Sequence, residues 1–312
     1  MTKSKHFVKL SKFTTYSGIE MARKRSVTYT ALNIRVHPHP SPNIYVELFN
    51  YLYENRRDVP LSNNTYLSIN SLDLLNEKEP LDGFLGEIIK FNGITDQWFN
   101  QKTGQKAEPE DLKDVQIPDH LKPNAKFFKF VFFPRDHKLI CEIKDKEGSI
   151  SAKMLLEFFQ NLFKSPKLLE IFDTVEVNIL PDLDAVDKIL RMKQLKKLHL
   201  IIFRPNADEL AEMEQEIFAE MDTQNIGIYQ KILEAQESEF LQLNQRTKEQ
   251  TKVAATNGKV NYKAKDDRTG LIVNKSTAST PLIERDKYDP DITTPIDFLK
   301  QNASKIVAKF RK

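Results

Sequence analysis

KFFKFVFFPRDHKLICEIK, residues 126–144, holds two apolar segments that are separated by a short polar turn at 134–136. Aromatic and β-branched side chains in runs of this length favour strands, and two such runs joined by a short turn predict a β-hairpin. After the two strands of the hairpin, apolar residues recur alternately with the period of a helix and the period of a strand, so the predicted order from residue 126 is β-β-α-β-α-β-α. This order indicates a sheet with helices packed on it.

The chain before the hairpin predicts a β-α-β-β unit. VTYTALNIRVH (27–37) alternates apolar and polar residues and predicts a strand, while 41–57 has one apolar face and predicts a helix. Two further strands are predicted over 65–75 and 86–92. Residues 93–125 contain three prolines and many polar residues, which is typical of a long loop and of a domain boundary.

These elements predict an α+β fold in which antiparallel or mixed sheets carry packed helices and form two α/β subdomains. The predicted divisions are a basic N-terminal arm (1–26), an N-terminal α+β domain (27–125), a C-terminal α+β domain (126–292) and a basic amphipathic tail helix (293–312).

Composition narrows the class of protein. The one cysteine, Cys141, excludes an internal disulfide and a cysteine-based zinc site. No apolar run approaches the roughly 20 residues that span a bilayer. Residues 1–26 also lack the apolar core of a secretory signal, so we expect a cytoplasmic protein.

Charge is unevenly distributed along the chain. Residues 1–26 hold seven Lys or Arg and one acid, and residues 305–312 hold four Lys or Arg and no acid, although the net charge of the whole chain is only +3. Basic ends on an acidic body are typical of arms that contact nucleic acid or a lipid surface. Terminal lysines that only aid solubility are the alternative interpretation.

Four basic clusters are candidates for contacts with duplex DNA. They are Arg23, Lys24 and Arg25; Lys126, Lys129, Arg135 and Lys138; Arg191, Lys193, Lys196 and Lys197; and Lys259, Lys263, Lys265 and Arg268. Such clusters could form one groove that follows phosphates without reading sequence. They could equally be four unrelated solvated faces.

The predicted hairpin also carries a candidate nuclease site. Asp136 is followed on the second strand by Glu142 and Lys144. Two carboxylates that hold Mg²⁺, with a lysine beside them, are typical of metal-dependent nucleases. Residues 142 and 144 would share one face of a strand, as this chemistry requires. The alternative is a half-exposed strand with Cys141 and Ile143 facing the core.

Other patterns predict structure and not chemistry. His37 and His39 could supply two metal ligands, but the remaining histidines share no ligand spacing with them, so we expect no metal site and interpret HPHP as the end of a strand before a helix. Neither a glycine-rich phosphate loop nor a G-x-S-x-G motif occurs, and we expect no cofactor. The aromatic FFKFVFF (127–133) could stack on single-stranded nucleic acid or belong to the core.

Several segments carry a resemblance to known proteins. ALNIRVHPHP (31–40), EPLDGFLGEIIKF (79–91), LKPNAKFFKFVFFPRDHKL (121–139), VAATNGKV (253–260) and TPLIERDKYDPD (280–291) resemble an uncharacterised bacterial family that carries a domain of unknown function (DUF4747-like). The size and the α+β layout also resemble the RexA-like phage-exclusion proteins and the DNA-binding component of the Kiwa defence system. This second resemblance implies a cytoplasmic, dimeric DNA-binding sensor that works with a membrane-bound effector, and it transfers no functional residue.

Three hypotheses for function follow. The first is a nucleic-acid-binding protein of anti-phage defence or phage exclusion that binds double-stranded DNA, without catalysis of its own, as a homodimer. The second is the Mg²⁺-dependent nuclease built on Asp136, Glu142 and Lys144. The third is a protein-interaction module of a defence complex, in which the tail helix docks on a partner or on an anionic membrane.

Overall fold

The structure is a computed structural model that describes residues 24–62, 64–95, 97–205, 212–266 and 269–311. Most of the predicted basic arm, including Arg23, lies outside the described residues, and so does Arg268. Within the described residues the fold is α+β, which confirms the predicted class.

Strands and helices follow the predicted order closely. The strands are β1 (Arg25–His37), β2 (Val59–Pro60), β3 (Thr65–Leu74), β4 (Phe84–Asn92), β5 (Phe99–Asn100), β6 (Gln105–Lys106), β7 (Lys126–Phe133), β8 (Lys138–Lys144), β9 (Thr174–Ile179), β10 (Leu195–Phe203), β11 (Ile228–Glu234), β12 (Gly258–Lys265), β13 (Ile272–Ser276) and β14 (Glu284–Tyr288). The helices are α1 (Asn43–Glu54), α2 (Pro109–Leu112), α3 (Ala152–Phe163), α4 (Pro166–Phe172), α5 (Leu183–Leu190), α6 (Glu212–Thr223), α7 (Gln245–Thr256) and α8 (Pro295–Ala308).

The first sheet has the order β14-β1-β8-β7-β4-β3-β2 with every pairing antiparallel, and its long strand β1 is second from one edge. One edge of β1 pairs with β8. The other edge pairs first with β14, over residues 25–29, and then with β9, over residues 32–37. Residues 27–36 are all buried, because other elements cover both faces of the strand.

The two faces of the first sheet carry separate cores. Phe128, Phe130 and Phe132 of β7 point to the face that α1 and α3 cover, where the Phe49 ring stacks 4.0 Å from the Phe132 ring. Val131, the intervening residue, points to the opposite face and packs against α8. FFKFVFF (127–133) therefore belongs largely to the core, as period-2 alternation requires.

The second sheet has the antiparallel order β11-β10-β12-β13. Leu198, Leu200 and Ile202 of β10 are fully buried on the face where α6 and α7 pack. The residues between them face away from these helices. The end of α7, which packs on the second sheet, meets the first sheet through polar contacts: the side-chain amide of Asn33 donates to the Thr256 carbonyl oxygen at 3.1 Å.

The predicted domain boundary at residue 125 runs through the middle of one sheet, because β4 pairs with β7 from Phe84↔Phe132 to Lys90↔Lys126. The tail helix α8 is packed, with Leu299 and Val307 buried on the sheet. Strands β2 and β14 and helix α4 were not predicted, and the predicted long loop of residues 93–125 contains β5, β6 and α2. Among the helices in the described part of the chain, none combines the length and the apolar character that crossing a bilayer requires.

Candidate nucleic-acid interface

A groove of about 910 Å³ lies on the first sheet beside the start of α8, and we call it the basic groove. Its walls come from the start of β1, from β7, from β8 with the turn after it, and from β14. Six basic side chains line it: Lys24, Arg25, Lys129, Lys144, Lys146 and Arg285. They come from segments that are far apart in sequence, so only the sheet pairing brings them together.

Strand alternation explains why these side chains reach the groove. Cys141 and Ile143 of β8 point into the core under α1 and α3, so Glu142 and Lys144 point to the opposite face. Lys129 of β7 shares that face. The turn after β8 is closed by the Asp145 carboxylate, which accepts hydrogen bonds from the backbone N–H groups of Glu147 at 2.7 Å and Gly148 at 2.9 Å.

Four of the six basic side chains stand without an acidic partner in the part of the chain that the structure describes. Lys24, Arg25, Lys144 and Arg285 are exposed and form no ion pair with an acid among the residues that the structure describes. A cluster of exposed, uncompensated cations attracts polyanions and releases their counterions on binding.

The remaining two cations are paired in part. Lys129 lies 3.6 Å from the Glu87 carboxylate, and Lys146 lies 3.8 Å from that of Glu147. At these distances the partners reduce the positive potential of the groove without removing it.

Glu142 is one of three acidic residues that line the groove, with Asp145 and Glu147. The pKa of Glu142 is raised to about 7, mainly by burial and in part by the nearby Asp145 carboxylate, while Lys129 acts in the opposite direction. A carboxyl with this pKa loses its negative charge as the pH falls from 8 to 6. The net positive charge of the groove therefore rises over the same range.

The structure does not bring the three candidate nuclease residues together. Glu142 and Lys144 both line the groove, but Asp136 lies in the turn at the other end of β8. Six residues separate Asp136 from Glu142: the extended strand from Lys138 to Glu142 accounts for about 13 Å, and the turn brings the separation towards about 20 Å. The Asp136 carboxylate is also held by the Arg311 guanidinium, with two N–O distances of 2.7 and 2.8 Å. Among the residues described, no three His, Cys, Asp or Glu side chains are grouped to hold a metal ion.

The second basic cluster is divided. Of its four members, Lys129 alone lines the groove. Lys126 packs on Gly148 and shares the opposite face of β7 with Phe128. Arg135 pairs with Glu79 at 3.2 Å near the far end of the hairpin, and Lys138 donates to the Asn33 side chain at 2.9 Å.

One residue of the third cluster, Lys197, meets described residues of the fourth on the face of the second sheet that α6 and α7 leave uncovered, which we call the open sheet face. Lys197 lies opposite Lys263, and Ile201 lies opposite Lys259, so that the three lysines share this face. Lys265 follows on the same side of β12. A shallow hollow of about 490 Å³ includes Lys197, Lys263 and His199, and Lys197 is paired with Glu234 at 3.1 Å.

The rest of the third cluster lies elsewhere. Lys193 is exposed in the turn before β10, and Arg191 is exposed 3.9 Å from Asp187. Lys196 donates to two backbone carbonyls, those of Glu237 and Glu239. These three basic residues belong to neither surface.

HPHP (37–40) lies between the two sheets, where β1 ends and the chain turns towards α1, as its interpretation predicted. Nε2 of His37 donates to the Arg204 carbonyl oxygen at 2.9 Å, and burial lowers the pKa of His37 to about 4. The His39 ring packs beside the rings of Tyr45 and His137, at 5.4 and 5.3 Å between centroids.

Two groove residues, Lys146 and Arg285, were not predicted. Arg285 could have been found from the sequence only if ERDKY (284–288) had been identified as a strand that pairs with the start of β1. Lys144 was predicted only as a member of the nuclease set.

With this geometry established, comparisons with known proteins place the chain in a family. The family described as "Domain of unknown function (DUF4747)" matches residues 25–304. This range covers most of the 312 residues, and the chain therefore belongs to this family. No curated protein matches the chain.

Proposed function

We propose that this member of the family is a nucleic-acid-binding protein that holds a phosphate backbone in the basic groove. The observation that supports the proposal is the convergence of Lys24, Arg25, Lys144 and Arg285, which are exposed and lack an acidic partner among the described residues. Their side chains can contact phosphates whatever the base sequence. Binding should therefore be weakly sequence-dependent and strongly salt-dependent.

The chain before the groove supports the same proposal. Lys24, at the wall of the groove, directly follows 23 residues that contain five Lys or Arg and one acid. Phosphate contacts made by these basic residues would add to the salt dependence of binding.

Finer expectations remain predictions. We propose that the nucleic acid is double-stranded DNA, that the protein acts in anti-phage defence in the cytoplasm together with a membrane-bound effector, and that it has no catalytic activity of its own. The separation of Asp136 from Glu142 supports binding over metal-dependent cleavage, because two carboxylates about 20 Å apart cannot share one metal ion.

The test is binding of the full chain to labelled duplex DNA across a salt series, with and without Mg²⁺, with both retention and cleavage measured. We expect binding that weakens steeply with salt and leaves the DNA intact. The double variant Lys144→Glu/Arg285→Glu should lower affinity at least about tenfold and reduce the salt dependence, because two phosphate contacts are lost.

The matched control is the double variant Lys259→Glu/Lys263→Glu on the open sheet face, which has the same change in net charge. If this control loses as much affinity as the groove variant, the groove is not the binding site. Absence of binding by the wild-type chain at low salt would reject the function itself. Cleavage that requires Mg²⁺ and is lost in Glu142→Gln would support the nuclease hypothesis instead.

A further inference from the structure

The outer edge of the second sheet is formed by β11, seven residues that pair only with β10 among the strands described. None of its residues is Pro or Gly, and its pairing with β10 is regular. Unpaired edges of this kind are templates for another strand. Its one lysine, Lys231, does not protect the edge, because the ammonium is bound to Thr247 at 3.1 Å and Gln250 at 2.8 Å on the helix side.

The hydrogen bonds to β10 show which backbone groups of β11 point outward. The N–H of Ala235 donates to the Lys196 carbonyl oxygen at 2.8 Å. In an antiparallel ladder, hydrogen-bonded and non-hydrogen-bonded pairs alternate. Ile228, Gln230 and Ile232 therefore lie at non-hydrogen-bonded positions towards β10, and their N–H and C=O groups point away from the sheet.

The same three residues carry an exposed apolar pattern that is symmetric about its centre. The side chains of Ile228 and Ile232 are 49% and 55% exposed, and each is two residues from Gln230. If two copies of β11 pair antiparallel with their Gln230 residues opposite each other, Ile228 of each copy lies opposite Ile232 of the other. The pairing then contains two such isoleucine pairs. Each of these opposed pairs would be a hydrogen-bonded pair, as the outward direction of their backbone groups requires.

We infer that a second copy of this chain pairs along β11 and forms a two-fold symmetric dimer. The two four-stranded sheets then become one eight-stranded sheet, in which both isoleucine pairs leave water and the outward backbone groups of both edges are bonded. A symmetric dimer needs a self-complementary patch, and the spacing 228, 230, 232 supplies one. The two open sheet faces, with their lysines, become one continuous surface.

The inference is tested by the mass of the full chain in solution, from sedimentation velocity and from light scattering after gel filtration, with no nucleic acid present. The wild-type chain should be a dimer. Gln230→Pro removes an outward N–H that the monomer does not use, and Ile232→Lys places a charge opposite Ile228 of the second copy. Each substitution should raise the dissociation constant at least about tenfold.

The matched control is Ile272→Lys on β13, the opposite edge strand, where the isoleucine is 47% exposed. This variant should stay dimeric. A wild-type monomer would overturn the inference, and so would a dimer that both β11 variants leave intact. Because two different β11 substitutions are used and circular dichroism checks their folding, misfolding of one leaves the other decisive. Failure here would not affect the groove proposal, which is measured by DNA binding.

Discussion

Replacing Glu142 by glutamine should stabilise the protein at alkaline pH and have little effect at acidic pH. Burial holds the pKa of Glu142 at about 7, against an ordinary value of 4.5. The folded state therefore binds this proton more tightly than the unfolded chain does. The stability associated with the protonated form is present below pH 4.5 and is lost as the pH rises through 7.

The magnitude follows from the pKa. Since each pKa unit corresponds to about 1.4 kcal/mol, the difference between 4.5 and about 7 corresponds to at most about 3 kcal/mol above pH 7. The glutamine carries no charge and therefore escapes this penalty. Its amide still has to be hydrogen-bonded in the groove, so we expect a gain of about 1–3 kcal/mol in the free energy of unfolding at pH 8. The gain should be about 1 kcal/mol or less at pH 5.

Urea denaturation at pH 5 and pH 8 measures this difference directly. Glu147→Gln is the control, because Glu147 lines the same groove with a 62% exposed side chain, and its effect should stay within about 0.5 kcal/mol at both pH values. The reasoning is refuted if Glu142→Gln is no more stable than the wild type at pH 8, or if its gain is the same at both pH values.

Two further predictions test the packing of the two sheets away from the groove. Arg35→Ala should destabilise the fold by about 3–5 kcal/mol in urea denaturation. The fully buried guanidinium lies 3.5 Å from the Glu176 carboxylate, which would lose its partner. A loss of stability below about 1 kcal/mol would contradict this reasoning. Gly258→Ala should lower the free energy of unfolding by at least about 2 kcal/mol in thermal or urea unfolding, because a Cβ would overlap the Ile201 carbonyl oxygen. Gly227→Ala is the control, because its Cβ meets open space, and it should lower the stability by less than about 1 kcal/mol. Equal effects of the two substitutions would show that the backbone adjusts.

Elements with a clear apolar period were predicted because the period follows from which faces are buried. β1, the β7–β8 hairpin and α8 belong to this group, and their bounds were predicted to within a few residues. β14 was missed because four of its five residues are charged. Its strand conformation depends on pairing with β1, some 250 residues away in sequence, and no local pattern records that pairing.

The site was harder to predict than the fold, for two physical reasons. The six cations of the groove come from distant segments, so their convergence depends on sheet order, which the sequence does not state. The nuclease set contained an error of geometry that the sequence could have exposed. A residue in a hairpin turn and one six positions along the strand are about 20 Å apart in any register, so Asp136 and Glu142 could not have shared an ion.

The pairing of β1 with β8, β9 and β14, all of which follow it in the chain, has a consequence for how the chain is made. Thr30 donates its hydroxyl to the Leu282 carbonyl oxygen, 252 residues later. A ribosome delivers β1 among the first described residues, and it delivers β14 and α8, which complete its surroundings, last. Until they emerge, the strand exposes apolar surface and an open edge. Chaperone contact during synthesis should therefore concentrate on the amino-terminal part of the chain, and release should wait for the final segment.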